Sequence, residues 1–449
     1  MRWLALLLSL AACTTTPPPS SWRVEDEFLR APDGRVAILR GVNVSGDQKN
    51  APYLDNKSFA DYARIRNDWG FDAIRFVMTW AAIEPVQGQY DDVYLQQVAD
   101  RMEWARQAGL VAILDMHEDI YGEGFGYDGA PAWACDASNY AAFVNLQPWF
   151  INTLDAPVEA CVDAFYTTDT RAQFIAAWQH VAEKLAGSPA VIGIDPLNEP
   201  SWGSYPVFNF ERDRLVPLYA DVAAAVRGVA PNWIIFAEPS SSRNVGLESE
   251  ITSLPFDNAM YAPHSYDSGA ESGNGFDPTH RQNILDNGSV LAQEATTMHA
   301  GLWIGEYGGV ADEGGITDYM TAEYDAAGAA AAGTMYWADD GGTYGLVDAD
   351  GNEKSELVAA VVRPYPAFVA GTPSSYAFDA TTQTFTLTYA PDPAPSTQPT
   401  VIAIPPRLYP GGYSVDCGGC SSHAEPGAVV IDTAPPGDSA TITIRDALH

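Results

Sequence analysis

Short apolar runs alternate along most of this chain with longer segments in which apolar residues recur every three or four positions. The short runs predict buried β-strands, and the longer segments predict amphipathic helices. Eight strands that alternate with helices predict an α/β fold, a parallel sheet closed into a (β/α)8 TIM barrel. The predicted strands are 36–44, 72–80, 111–117, 191–199, 233–239, 260–267, 302–308 and 334–340; the predicted helices include 59–69, 94–108, 171–185, 215–229, 319–332 and a last one at 355–362.

The segment after the third strand, from 118 to about 167, differs from the other connections. Its pattern predicts no long helix, and long irregular loops in compact domains are usually functional. In a TIM barrel such a loop lies on the catalytic face, so we expect it to shape the substrate site. The loop is rich in aromatic residues: Tyr121, Tyr127, Trp133, Tyr140, Phe143, Trp149 and Phe150.

The pattern changes after residue 366. Segments 382–389, 401–404 and 440–444 alternate apolar and polar residues, with Pro and Gly between them. They predict a barrel domain at 22–366 followed by a C-terminal all-β sandwich domain at 367–449. This second domain either binds sugar or packs on the barrel, and the short linker around Gly371 favours packing.

The N-terminus has the features of an export signal. A basic start is followed by the apolar stretch 4–12, which is too short to span a bilayer. The run 10–13, Leu-Ala-Ala-Cys, resembles the lipobox of bacterial lipoproteins, in which the cysteine is lipidated; the alternative is an ordinary cleavage site with a chance cysteine. We therefore expect 1–21 to be a signal and a flexible Thr/Pro/Ser tether. The protein would be exported and either lipid-anchored through Cys13 to the bacterial cell envelope or secreted.

Composition narrows the possible partners. The 449 residues include 58 acidic and 23 basic ones, a net charge of −35. Such a charge repels nucleic acid and anionic lipid head groups, so neither is expected as a partner. With 47% hydrophobic and 18% charged residues, the chain has the composition of a folded protein, and we expect it to act as a monomer.

Cysteine usage predicts disulfides. Four cysteines remain once Cys13 is set aside, and an exported chain favours their pairing. A bond between Cys135 and Cys161 would staple the long loop. Cys417 and Cys420 form either a local disulfide or part of a redox or zinc site; with only His423 close in sequence, the disulfide is favoured. No metal and no cofactor are predicted.

Two carboxylates carry the candidate chemistry. Glu199 follows the fourth predicted strand, in the run 194–200, and Glu306 ends the seventh. Glycoside hydrolysis needs such a pair, one acid to protonate the leaving oxygen and another to attack the sugar or stabilise its charge. Further polar or aromatic residues stand at strand ends in chain order: Arg75, His117, Asn198, His264, Tyr266 and Trp337.

This set resembles the active site of glycoside hydrolase family 5. Further segments resemble the endoglycoceramidases within that family, over nearly the whole mature chain: 40–43 with Lys49, 75–76 with Trp80, 84–85, 114–119 with Tyr121, 129–133, 363–366 and 370–373. Two features depart from that group. Its common His-Gln-Asp triplet is His117-Glu118-Asp119 here, and the aromatic loop is built differently and holds two cysteines.

The resemblance implies a two-glutamate double displacement with retention of the β configuration. Glu306 would be the nucleophile and Glu199 the acid/base, with carboxyl groups about 5 to 5.5 Å apart. Arg75 would bond to Glu306 and lower its pKa. Tyr266 would share a proton with Glu306, and Asn198 would bond to the sugar 2-hydroxyl.

The remaining candidates line the substrate site. We expect His117 and His264 to donate hydrogen bonds in the sugar subsite and Trp337 to offer a flat apolar face to the sugar. Lys49 and Asp119 resemble positions that contact sugar hydroxyls in the endoglycoceramidases. In the long loop, Trp149 and Trp133 are either further platforms or packing residues.

Three functions are therefore open. The leading one is an endo-β-glycosidase that releases a glycan from a lipid-like aglycone such as ceramide. The second is a β-glucosidase or endo-β-glucanase that acts on other β-glycosides. The third is a non-catalytic sugar-binding surface lipoprotein, against which the presence of both carboxylates argues.

Overall fold

In the computed structural model, residues 21–392, 398–434 and 437–447 are described. Cys13 and the predicted signal lie outside these ranges, as does nearly all of the predicted tether. The described chain starts with three short antiparallel strands, β1 (Arg23–Glu25), β2 (Phe28–Arg30) and β3 (Val36–Ala37).

Eight parallel strands then close into a barrel, which confirms the predicted TIM fold. All seven residues of the second barrel strand, Ala73–Thr79, are buried, as expected for a strand covered on both faces. The barrel strands are β4 (Arg40–Val44), β5 (Ala73–Thr79), β6 (Val111–His117), β7 (Val191–Asp195), β8 (Ile234–Ala237), β9 (Ala259–Tyr261), β10 (Gly301–Tyr307) and β11 (Gly333–Tyr336).

Helices connect the barrel strands. Their ends follow local rules: before α3, the Asp91 side chain accepts the Val93 and Tyr94 N–H groups, and the helix stops at Gly109, whose φ is +80°. The helices are α1 (Phe59–Asn67), α2 (Trp80–Ile83), α3 (Asp92–Ala108), α4 (Ala137–Ala142), α5 (Ala156–Thr167), α6 (Asp169–Leu185), α7 (Val207–Phe210), α8 (Val216–Arg227), α9 (Ser268–Glu271), α10 (Arg281–Met298), α11 (Ile316–Ala329) and α12 (Ser355–Val361).

The segment 118–167 corrects the sequence prediction, because it ends in the 12-residue helix α5. Val158, Val162 and Phe165 are buried and lie on one side of that helix, at the three- and four-residue spacing of an amphipathic helix. A disulfide joins Cys161 on α5 to Cys135 in the loop, as predicted. The disulfide therefore ties the loop to α5.

The C-terminal region consists of two antiparallel sheets that share one core, which confirms the predicted sandwich. The four-stranded sheet has the order β13-β14-β19-β16, and the other includes β12, β15, β18 and β17. The Tyr376 hydroxyl donates to the Ala332 carbonyl at 2.8 Å, so the sandwich packs on the end of α11. Its strands are β12 (Tyr365–Val369), β13 (Gly371–Asp379), β14 (Thr384–Pro391), β15 (Thr400–Ala403), β16 (Tyr413–Asp416), β17 (Ser421–Glu425), β18 (Ala428–Thr433) and β19 (Ala440–Asp446). Cys417 and Cys420 form the second disulfide.

The predicted strand 36–44 is in fact two strands. Only β4 joins the barrel, whereas β3 pairs with β12 and so carries β1 and β2 into the second sandwich sheet. The β1–β2 hairpin lies at the end of the barrel where strands begin: the Val24 N–H donates to Oδ1 of Asn258, the residue before β9, at 2.7 Å. Leu29 on β2 belongs to the apolar cluster at the bottom of the barrel. The described chain therefore enters the fold at the rim opposite the carboxyl ends of the strands. None of the described helices is long and apolar enough to cross a membrane.

Candidate active site

The two predicted glutamates meet at the carboxyl ends of the barrel strands. Glu306 lies near the end of β10 and is buried, whereas the Glu199 side chain, beyond β7, is 24% exposed. One carboxylate oxygen of each lies within 4.8 Å of the other, and a ring nitrogen of His264 lies within the same distance of both. The structure therefore brings together two acids that are far apart in sequence.

Glu306 is held on both oxygens. Arg75 Nη1 donates to its Oε1 at 2.7 Å, and the Tyr266 hydroxyl donates to its Oε2 at 2.9 Å. Burial raises the pKa of Glu306, and the charges of His264 and Arg75 only partly offset this. The predicted contact with Arg75 is present, and the Arg75 charge lowers the pKa of Glu306 as predicted, but burial has the larger effect and the net shift is upward.

Glu199 is positioned by three groups. Its Oε1 accepts from Asn244 Nδ2 at 2.7 Å and lies 2.8 Å from His264 Nδ1. Its backbone N–H donates to Glu238 Oε2 at 2.8 Å. The residue has a φ of +41°, a conformation that costs energy in a non-glycine residue and is often found at functional sites.

His264 stands between three carboxylates. Its Nδ1 lies 3.5 Å from Glu306 Oε2, and its Nε2 lies 3.2 Å from Glu238 Oε1. Burial lowers the pKa of His264. The charges of Glu238 and Glu306 and the contact with Glu199 raise it by a larger amount, so the pKa is well above its usual value. We conclude that this side chain is an imidazolium at neutral pH.

Arg75 lies at the centre of the network and is fully buried. Besides Glu306, its guanidinium contacts Asp115 at 2.9 Å, Asp195 at 3.0 Å and Glu238 at 2.9 Å. Burial raises the pKa of Asp115 and of Asp195 well above the usual range, and the charge of Arg75 opposes this shift.

Asn198 is also tied to this network. Its Oδ1 accepts from Arg75 Nη2 at 3.0 Å, and its Nδ2 donates to the Glu118 carbonyl at 3.1 Å. Because an amide nitrogen carries two hydrogens, one N–H remains for a substrate hydroxyl.

The other predicted sugar-subsite residues form a second group. The His117 ring stacks on Trp337 with centroids 5.2 Å apart, and its Nδ1 lies 2.7 Å from Asp115. Lys49 Nζ bonds to Asp119 at 2.5 Å and lies 4.7 Å from the Trp337 ring centre. Burial and nearby cations lower the pKa of His117 well below its usual value, so its ring is neutral.

Trp149 and Trp133 differ in their surroundings. Trp149 is 43% exposed, and its ring contacts are with Tyr127 and Phe150 of the same loop. Trp133 packs against Trp80 and donates to the Glu84 carbonyl at 2.8 Å. The structure therefore does not bring either tryptophan into contact with the two candidate glutamates, and Trp133 is a packing residue of the loop.

Sequence reasoning missed Glu238 and Asn244. Glu238 lies within the fifth predicted strand, so its position at a strand end was a usable signal. Asn244 lies in the loop after β8 and reaches Glu199 only through the folding of that loop. Asn43, which accepts from Arg75 at 3.0 Å, was noted in the opening strand but was not assigned to the site.

Among the described residues, three groups of acidic and histidine side chains have the spacing of a metal site: Glu199, His264 and Glu306; Asp115, Asp195 and Glu238; and His117, Asp119 and Asp128. Each already faces a cation of the protein. His264 serves the first group, Arg75 the second and Lys49 the third. A cation of the chain thus offsets part of the negative charge of each group.

Comparison with known families agrees with this geometry. Residues 33–341 match the model "Cellulase (glycosyl hydrolase family 5)", and residues 363–444 match the family 5 C-terminal domain. The chain belongs to glycosyl hydrolase family 5. It is accordingly a glycoside hydrolase, and the active-site resemblance seen in the sequence is confirmed at the level of the family.

Relatives within family 5 are similar over most of the chain. Endoglycoceramidase I of Rhodococcus hoagii is 26% identical, over 92% of this chain and 85% of its own. The structure of endo-glycoceramidase II from Rhodococcus sp. in its ganglioside GM3 complex is 29% identical, with a TM-score of 0.84 over 94% of this chain and 100% of that one. A glucosylceramidase of Aspergillus fumigatus is 29% identical over 40% of this chain and 32% of its own. The resemblance to the endoglycoceramidases is therefore confirmed.

Proposed function

We propose that the protein is a retaining endo-β-glycosidase that cleaves the bond between a glycan and a lipid-like aglycone, as an endoglycosylceramidase does. The distance between the two glutamates carries the proposal. Their nearest oxygens lie within 4.8 Å, which fits the spacing of roughly 5–5.5 Å in retaining enzymes and not the roughly 6.5–9.5 Å of inverting ones.

In the proposed reaction, a Glu306 oxygen attacks the anomeric carbon while Glu199 gives its proton to the departing glycosidic oxygen. The C–O bond to the aglycone breaks, and a covalent glycosyl-enzyme forms. Glu199, now ionised, then takes a proton from water, whose oxygen attacks the same carbon and releases Glu306. Two inversions at one carbon give overall retention.

The surrounding contacts support these roles. Arg75 and Tyr266 stabilise Glu306 as a carboxylate although burial disfavours its charge. The same contacts favour its departure in the second step, because a stabilised carboxylate is a better leaving group. Glu199 is less buried and lies on the open side of the site, where a leaving group and a water molecule can reach it.

The names of the relatives support a glycolipid substrate. Endo-glycoceramidase II from Rhodococcus sp. has been seen as a lactosyl-enzyme intermediate as well as with ganglioside GM3. The glucosylceramidase of Aspergillus fumigatus would fit the removal of a single glucose. The alternative substrate class is a non-lipid β-glycoside, cleaved by a β-glucosidase or endo-β-glucanase with the same two glutamates. The further alternative, a non-catalytic sugar-binding lipoprotein, has no support from the site geometry.

We also propose that the protein acts as a monomer after export, either anchored to the bacterial cell envelope through a lipid on Cys13 or secreted. The lipobox-like run before Cys13 supports the anchor. Labelling with a radioactive fatty acid in cells, lost in Cys13→Ser, tests this assignment.

A substrate panel tests the function. The protein is incubated with a fluorescent glycosphingolipid in mild detergent and, separately, with cello-oligosaccharides, and Glu306→Ala is the matched control. Release of ceramide together with an intact oligosaccharide, absent in the variant, is the expected result. Cleavage of cello-oligosaccharides alone would favour the glucanase, and no turnover of any β-glycoside would favour the sugar-binding lipoprotein.

A further inference from the structure

The loop between α4 and α5 exposes an unusual group of apolar side chains. Five of the large apolar residues most open to solvent in the described chain fall within eleven positions of each other. We name them the 144–154 patch: Val144, Leu146, Trp149, Phe150 and Leu154, with exposures of 62%, 47%, 43%, 43% and 56%. Contiguous exposed apolar groups of this kind usually mark interaction sites.

The same segment carries no charge. No acidic or basic residue stands between Asp136 and Asp155, although 18% of the chain is charged and its net charge is −35. Solvent-exposed loops usually contain charges, so an uncharged exposed loop indicates a surface that is not always exposed to water. It also offers no electrostatic attraction for a charged partner.

Hydrogen bonds and a disulfide fix the conformation of the loop, and this conformation leaves its apolar side chains exposed. Asn152 is fully buried beneath it. Its Nδ2 donates to the carbonyls of Leu146 at 3.1 Å and Trp149 at 2.7 Å, and its Oδ1 accepts the Leu146 N–H at 2.8 Å. The Cys135–Cys161 disulfide clamps the flanks of this segment. Docking such a surface costs little conformational entropy.

The patch lies beside the catalytic mouth. It belongs to the connection after β6, on the face of the barrel where the strands end. The Thr153 hydroxyl donates to Ser201 Oγ at 3.2 Å, and Ser201 stands two residues after Glu199. The patch therefore lies next to the segment that carries the proposed acid/base.

We propose that the 144–154 patch docks onto the surface of a lipid aggregate made of uncharged or zwitterionic lipids and holds the catalytic mouth against it. The inference rests on the proposed function, since a lipid-borne substrate is found at such a surface. The lack of charge in the patch and the strongly acidic chain exclude an anionic surface as the preferred partner.

Cosedimentation with phosphatidylcholine vesicles tests the docking without any turnover. The full chain carries Cys13→Ser, so that no acyl chain contributes. Val144→Ser with Leu154→Ser should weaken vesicle binding by at least about tenfold. Val93→Ser, at an equally exposed apolar position on α3, should bind as the parent does. Adding phosphatidylserine to the vesicles should weaken the binding of the parent at low salt.

Activity is measured on the same variants. The patch variant should hydrolyse a soluble aryl β-glycoside like the parent but should lose activity on glycosylceramide in phosphatidylcholine vesicles. Equal vesicle binding by parent and patch variant, or no binding by the parent, would overturn the docking. Vesicle binding with no cleavage of any glycolipid would instead count against the proposed function.

Two other occupants of the patch give different results. If the patch contacts the tail of a single substrate molecule, the variant should raise KM for a short-chain glycolipid that stays monomeric in water. If it joins two copies of the chain, the parent should sediment as a dimer and the variant as a monomer. Either result would overturn the lipid-surface proposal.

Discussion

Asn244 donates a hydrogen bond of 2.7 Å to Oε1 of Glu199, the same oxygen that His264 contacts at 2.8 Å. This oxygen therefore has two partners inside the protein, and the second carboxylate oxygen is left for the substrate. Because the Glu199 side chain is partly exposed, these two contacts are what limits its orientation. Asn244 is thus a positioning residue for the proposed acid/base.

Replacing Asn244 tests this role. Asn244→Ala should lower kcat on a glycolipid by about tenfold, since one hydrogen bond to a charged group contributes roughly 1.5–3 kcal/mol. KM should change little, because Asn244 holds Glu199 and not the sugar. Steady-state kinetics measure both values, with Asn274→Ala, an exposed asparagine after β9, as the control. A change in KM with kcat preserved would assign Asn244 to substrate binding instead.

Removal of the proposed nucleophile should abolish turnover. Glu306→Ala should lose about 10^4-fold or more in kcat while keeping its fold, because no other described carboxylate reaches the same position. Azide should restore part of the activity on an activated aryl β-glycoside and should yield the α-glycosyl azide, whose configuration NMR reports. A β-azide product, or rescue only by Glu199 variants, would reverse the two roles.

The loss of activity on removing the proposed acid/base should depend on the leaving group of the substrate. Glu199→Gln should reduce cleavage of a glycolipid or alkyl glycoside far more than that of a dinitrophenyl glycoside, since a dinitrophenolate leaves without a proton. A burst of dinitrophenolate followed by a slow phase is expected, because the glycosyl-enzyme then lacks its base. Equal losses on both substrates would remove Glu199 from the proton-transfer step.

Glu118 should make stability depend on pH. Burial, reinforced by Asp119 and Glu199, raises its pKa from 4.5 to about 8. The protonated Glu118 carboxyl contributes its full stabilisation of the folded protein below pH 4.5. This stabilisation is lost as the pH rises toward 8, because the carboxyl ionises at a lower pH in the unfolded chain than in the folded one. Glu118→Gln should therefore stabilise the protein at pH 7.5 by about 4 kcal/mol and leave it unchanged at pH 4. Thermal melts at both pH values measure this difference in stability, with Glu183→Gln, at an exposed position, as the control. An equal gain in stability at pH 4 would contradict the raised pKa of Glu118.

Much of the barrel could be predicted because its signals are local. Parallel strands buried on both faces are continuous apolar runs, and helices between them show their own spacing. Glu199 and Glu306 stand at or near the ends of such runs, and Arg75 lies within one, so the order of the strands was enough to predict that the three residues meet. Helix α5 could have been predicted in the same way from the spacing of Val158, Val162 and Phe165.

Other features depend on contacts that local sequence does not show. Val36 pairs with Val369, more than 300 positions away, and this pairing divides the first predicted strand. Asn244 reaches Glu199 from a loop whose neighbouring residue, Arg243, pairs with Glu294 of α10 at 3.1 Å. The net pKa of Glu306 depends on how deeply the site is buried, which follows from the packing of the whole barrel.

The contact between Val24 and Asn258 would set the orientation of a lipid-anchored form of the protein. Arg23 stands ten positions after Cys13, and an extended chain of that length spans at most about 35 Å. If Cys13 bears an acyl group, the end of the barrel where the strands begin would face the membrane that holds this group. The two glutamates, at the other end, would face away from that membrane. Such an enzyme would act on glycolipids in a lipid surface other than its own membrane, such as that of another cell, a vesicle or a micelle.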